Sequence, residues 1–138
     1  MWVNIVVLVL ASLLLAAMLR ARWRAHSFAK YDGPRLAAII KEAERAITDL
    51  VRPHCPDARV FSFGATYLDP RHLAIWIATT TDAERDALRG SKALRRKLRA
   101  ALRAAGYPRA AISRVAFGFE SQETVRRDHK GSWYLALK

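Results

Sequence analysis

The chain has 138 residues, 52% of them hydrophobic, with 24 Lys and Arg against 12 Asp and Glu and a formal net charge of +12 at neutral pH. That length supports one core of ordinary size rather than two, and the single cysteine, Cys55, excludes an internal disulfide. So basic a balance points to anionic partners, whether lipid headgroups, nucleic acid or an acidic protein, and away from basic ones.

In chain order, residues 1–19 carry no side-chain charge, and Trp2–Leu19 is apolar apart from Asn4 and Ser12. Eighteen helical residues reach about 27 Å, near the ~30 Å of a bilayer's hydrocarbon. Arg20, Arg22, Arg24 and Lys30 follow at once, and such cations stay on the cytoplasmic side. The pattern predicts a transmembrane anchor over 1–19 that meets membrane lipid through residues 2–19. A basic juxtamembrane connector over 20–33 and a cytoplasmic domain over 34–138 then follow. The expected topology is a single-pass signal-anchor in the cytoplasmic membrane with its N-terminus outside. Trp2, Arg20, Arg22, Trp23 and Arg24 are its expected interface residues.

Pro34 suits the first turn of a helix, in which Leu36, Ile40, Ala43, Ile47 and Leu50 form one apolar stripe that ends before Pro53. Alternation predicts strands over 58–67 and 72–80, joined through the turn residues Leu68-Asp69-Pro70-Arg71 as an antiparallel hairpin. Thr81 with Glu84 three residues on is a capping box that opens a helix over 82–105. Gly90 is a potential break in it, with Ser91 to cap the second piece, and Gly106-Tyr107-Pro108 ends it. A third strand is expected over 112–120. After the polar stretch 121–131, with room for one or two helical turns, Trp133, Leu135 and Leu137 suggest a fourth. The expected fold class is α+β: a transmembrane helix, then an α-β-β-α-β-β domain with a mainly antiparallel sheet and two helices on one face.

Two surfaces stand out. Arg85, Arg89, Lys92, Arg96, Arg99 and Arg103 recur at 4,3,4,3,4 spacing and fall on one arc of the second helix, a basic ridge suited to an anionic surface. The same spacing is also what an ordinary solvated helix face produces. If Phe61, Phe63, Ile75, Ile77, Phe117, Phe119, Trp133, Leu135 and Leu137 face the helices, the opposite sheet face carries His72, Trp76, Arg114 and Tyr134 among small residues. Trp, Tyr and Arg are types that dominate protein interfaces, so these four are the expected partner-binding residues, for another protein or a second copy of the chain.

No reaction is written in the sequence. His54 and Cys55 are adjacent with no further ligand at zinc spacing, and no phosphate-cradling glycine loop or nucleophile elbow occurs. No catalytic residue, metal site or cofactor is therefore assigned. Phe117-Gly118-Phe119 shares three residues with the RNA-recognition-motif signature, but Val115, Ala116, Glu120 and Gln122 depart from it, so no family follows. The expected function is a non-enzymatic, membrane-tethered binding module: an adaptor, an inhibitor or immunity-like protein, or a small subunit of a membrane complex. Nucleic-acid or ribosome binding at the membrane is the alternative, resting on charge.

Overall fold

The computed structural model describes residues 6–22 and 33–138 in full, together with the helical backbone of 2–5 and 23–29. The chain divides into two compact units, 1–32 and 33–138. The first is one helix, α1 (Trp2–Ala29).

The membrane expectation is corrected here. Among the described residues no helix is long and apolar enough to cross a membrane. The α1 helix does not end with its apolar run: Arg20 and Arg22 continue it as exposed side chains. The single-pass anchor, and with it the outside N-terminus and the cytoplasmic-membrane location, are not supported. Trp2, Trp23 and Arg24 lie outside the residues whose side chains are described.

The second unit is a small α+β domain. Its elements after α1 are α2 (Gly33–Val51), β1 (Arg59–Phe63), a 3-10 turn at Pro70–His72, β2 (Ala74–Thr79), α3 (Asp82–Gly90) and α4 (Lys92–Ala104). They continue with α5 (Arg109–Ile112), β3 (Ala116–Ser121), α6 (Gln122–Asp128) and α7 (Trp133–Ala136). The sheet has three strands in the order β1-β2-β3; β1 pairs antiparallel with β2, and β2 pairs parallel with β3. The expected four-stranded, mainly antiparallel sheet is thus replaced by a mixed one. Parallel neighbours need a long crossover, and α3 and α4 supply it.

The expected last strand is a helical turn instead. Gly131 (φ 79) and Lys130 (φ 53) turn the chain in the left-handed region, and Ser132 then caps α7, its Oγ accepting from Leu135 N at 3.4 Å. Earlier, the chain from Pro108 turns through α5 before β3 starts at Ala116. The 82–105 helix divides at Ser91, whose N–H donates to Leu88 O and whose Oγ accepts from Leu94 N at 3.1 Å, closing α3 and starting α4.

Register decides which side of the sheet each residue faces. Ser62 pairs with Ile75 and Phe61 with Trp76. Ser62 Oγ donates to Glu44 Oε1 of α2 at 2.6 Å, so Val60, Ser62, Ile75, Ile77, Phe117 and Phe119 share the helix-facing side. Leu36, Ile40, Ala43, Ile47 and Val51 of α2 close over it with Leu88 of α3 and Leu94, Leu98 and Leu102 of α4. Each large aliphatic side chain so buried contributes about 1.5–3 kcal/mol. Phe61 and Phe63, expected against the helices, lie on the opposite face with Trp76: a one-residue difference in strand phase carries both rings across.

Candidate functional site

The basic ridge does not survive as one surface. Its phase is reset at Ser91, and the side chains separate into two sets. The inward set faces β3 and the turn before it. Arg85 is largely buried (14% side-chain exposure) and bonds Glu120 Oε1 at 3.1 Å, Thr124 Oγ1 at 2.6 Å and Asp82 Oδ1 at 3.1 Å. Arg89 Nη2 donates to Phe119 O at 2.7 Å, and Arg99 Nη1 donates to Ile112 O at 2.7 Å. Arg99 also lies 5.5 Å over the Phe117 ring, and Arg95, which the ridge did not include, lies 5.7 Å over Phe119. These arginines clamp the crossover helices to the edge strand; a planar five-donor guanidinium can bond a carbonyl and stack on a ring at once.

The outward set is Lys92, Arg96, Lys97 and Arg103. All four are exposed, and among the described residues none has an ion-pair or hydrogen-bond partner. Lys92, Arg96 and Arg103 share one face over about 16 Å of helix axis. Every other exposed residue of α4 is alanine or Arg95. From Ala87 to Phe119 the chain has nine cations and no carboxylate, with exposed Arg109 and Arg114 continuing the positive surface beyond α4 in sequence.

The carboxylates gather instead where β2 and β3 end. Asp82, at the start of α3, accepts from Thr124 Oγ1 at 2.8 Å, from Arg127 Nη1 at 2.9 Å and from Ser121 Oγ. Those bonds, the hydroxyl of Ser121 first, hold its carboxyl well below the usual carboxylate range. Glu123 Oε2 accepts from Asp82 N at 2.7 Å, and Glu84 Oε2 accepts from Thr80 N and Thr81 N at 3.0 Å each. Carboxylates thus satisfy the N-terminus of α3, while at α6 the Thr80 carbonyl accepts from Glu123 N at 3.2 Å and Ser121 Oγ accepts from Thr124 N at 3.0 Å.

The open face of the sheet carries an aromatic row. The Phe61 and Phe63 rings meet edge to face at 5.3 Å, Phe61 meets Trp133 of α7 at 6.2 Å, and Arg59 lies 5.5 Å over Trp133. Trp133 Nε1 donates to Gln122 Oε1 at 3.0 Å, fixing α7 over this face. The Trp76 indole rests on Gly118, whose position leaves no room for a Cβ: one built there would sit 2.5 Å from Cδ2 and Cε3 of the ring. Phe63 remains half exposed.

Of the four expected partner residues, Trp76 is half-buried on this face, and Tyr134 is exposed with Lys138 Nζ 4.9 Å over its ring. His72 and Arg114, both exposed, each precede by two residues the register partners Ala74 and Ala116, at the end of the sheet where β2 and β3 begin. Among the described residues no hydrogen bond, ion pair or ring contact joins the four. Phe61, Phe63 and Trp133, expected together against the helices, meet on the open face instead: β1 has the other phase, and Trp133 lies in α7 rather than in a strand.

Beside α3 a cleft of about 190 Å³ is lined by His54, Cys55, Glu84, Ala87, Leu88, Ser91 and Leu94. Burial, and next the charge of Glu84, push the Cys55 thiol up. A thiol so held stays protonated and is a poor nucleophile.

Comparison with protein-family models, curated proteins and solved structures gave no match for this chain.

Proposed function

We propose that residues 33–138 form a non-enzymatic binding module that docks the phosphodiester backbone of a nucleic acid along the outer face of α4. The observation that carries this reading is the division of cations on the crossover helices. Arg85, Arg89, Arg95 and Arg99 are engaged with β3 and its neighbours, while Lys92, Arg96, Lys97 and Arg103 face outward with no counter-charge on their helix. An acidic protein partner is the poorer fit. Protein interfaces are built round apolar or aromatic anchors, and the exposed surface of α4 offers only alanines between its cations. A row of unpaired cations over about 16 Å suits a linear phosphate array, read by charge rather than by base.

The test is binding of the full chain to a labelled DNA or RNA duplex, followed by fluorescence anisotropy across a salt series. Each phosphate contact contributes about 0.9 to the slope of log affinity against log salt. Replacing Lys92, Arg96 and Arg103 by Gln should lower that slope by about 3, less for every position that misses a phosphate. Replacing Arg126 and Lys130, exposed cations outside the proposed face, should leave it nearly unchanged. No binding at low salt, or the same slope in the triple variant, would overturn the proposal.

A further inference from the structure

The two edges of the sheet are treated differently. At β3 the arginines of α3 and α4 lie against the edge: Arg89 bonds the Phe119 carbonyl, and Arg95 and Arg99 cover the Phe119 and Phe117 rings. At β1 no described residue bonds the outward N–H and C=O groups of Arg59–Phe63. The strand has no Pro, no Lys and no bulge in its pairing with β2, the usual devices that blunt an edge. Phe63 at its end is 51% exposed. Such an edge is a template for another extended strand.

We propose that this edge pairs antiparallel with the β1 of a second copy of the chain, making one continuous six-stranded sheet. The strand is complementary to itself. A two-fold axis through Phe61 places Arg59 opposite Phe63 of the copy, Val60 opposite Ser62, and Phe61 opposite Phe61. Its only charge, Arg59, then meets an aromatic ring rather than a second arginine, and the open face gains a run of Arg–Phe, Phe–Phe and Phe–Arg cross-strand pairs. Pairs of these kinds stabilise antiparallel strands, whereas like charges set directly opposite destabilise them. Only a shift of register by four residues in one direction would put the two arginines opposite each other; a shift of two leaves Arg59 opposite Phe61 of the copy.

The experiment uses full-length chains carrying Arg59→Cys or Phe63→Cys, both at exposed positions, oxidised alone and as a mixture. The two-fold register brings position 59 of one chain to position 63 of the other. The mixture should therefore give at least ten times more cross-linked dimer than either variant alone. Equal cross-linking in all three samples, or none, would overturn the proposal. Sedimentation provides the second measurement. Wild-type chain should have the mass of two copies, and Phe63→Lys, which sets a lysine against Arg59 of the copy, should shift the dissociation midpoint at least tenfold in concentration. Wild-type mass of one chain, or association unchanged by Phe63→Lys as association through α1 would leave it, would equally refute it.

Discussion

Gly118→Ala tests the packing of the open sheet face. Glycine inside a strand is ordinarily unfavourable, and alanine there recovers about 0.5–1 kcal/mol. At this position the new Cβ would lie 2.5 Å from Cδ2 and Cε3 of Trp76 and 2.7 Å from Cε2. Relief to an ordinary contact needs about 1 Å of movement by the fused ring, not by the tip of a flexible chain. Trp76 is paired with Phe61 on the neighbouring strand, so the displacement passes into the Phe61–Trp133 contact. Overpacking of this kind costs about 1–3 kcal/mol, which offsets the backbone gain and leaves a net loss of about 0–2.5 kcal/mol. In a domain of this size each kcal/mol moves the melting midpoint by about 4–8 °C. Urea denaturation followed by near-UV circular dichroism reads both the midpoint and the indole environment. A variant more stable than wild type by about 0.5–1 kcal/mol would show that the ring moves without resistance, and the packed description of this face would fall.

Tyr107→Phe removes the buried hydroxyl that donates to Pro70 O and should cost about 0.5–1.5 kcal/mol, because the carbonyl keeps only the long bond from Leu73 N at 3.4 Å; no measurable loss in thermal melts would mean water replaces it. Gly64→Ala should be severe, about 3 kcal/mol or more, since its φ of +126° disfavours a side chain and the Cβ would meet His72 O at 2.0 Å; normal expression and an unchanged midpoint would refute this. Acid stability follows from Asp69, lowered from 3.8 to about 2 by its hydrogen bonds to Arg71, and from Asp82, lowered first by Ser121. Lowered values mean the ionised forms favour the fold. Their stabilisation is complete above the ordinary carboxylate range and drains as pH falls from about 4 towards 2, and Asp82→Asn should flatten that acid limb; a limb of unchanged steepness would sink the assignment.

The sequence made local chemistry legible and left non-local choices open. Thr81 and Glu84 form the capping box read from their spacing, and Thr81 Oγ1 accepts from Glu84 N at 3.2 Å. Asp69 caps its turn because its carboxylate reaches Arg71 N at 2.8 Å. Both features depend on residues within three positions of each other. The side of β1 was not legible in the same way. Arg59-Val60-Phe61-Ser62-Phe63 is alternating, and its larger residues argued for the core. The structure places Ser62 inward because Glu44, a buried carboxylate on α2, needs a donor there beside Lys41 Nζ at 2.7 Å. A polar requirement 18 residues away thus overrode the apolar pattern. Similarly, no pattern within 112–121 states whether that strand runs parallel or antiparallel to β2. The crossover fixes the direction, and the break that Gly90 and Ser91 offer divides it into α3 and α4.

The choice of cation along that crossover follows the same physical logic. Every cation of α3 and α4 that engages β3 or the turn before it is arginine: 85, 89, 95 and 99. Each must satisfy a carboxylate or carbonyl, lie over a ring, or do both, which needs several fixed donors on a flat group. Lysine offers one strongly hydrated charge and no flat surface, so it would leave Phe119 O or the Phe117 ring less well covered. Both lysines of α4, Lys92 and Lys97, point outward instead, mixed with Arg96 and Arg103. Out there only the charge matters, and either side chain supplies it. The positive surface is therefore what remains once the edge of β3 has been sealed, and its strength reflects the absence of any carboxylate between Ala87 and Phe119. A helix needed only as a solvated cover would gain from glutamates four residues before its cations; α4 has none, and the like charges at Lys92 and Arg96 stand one turn apart and repel. That uncompensated repulsion is the reason to read the outer face as a site for an anion rather than as ordinary solvated surface.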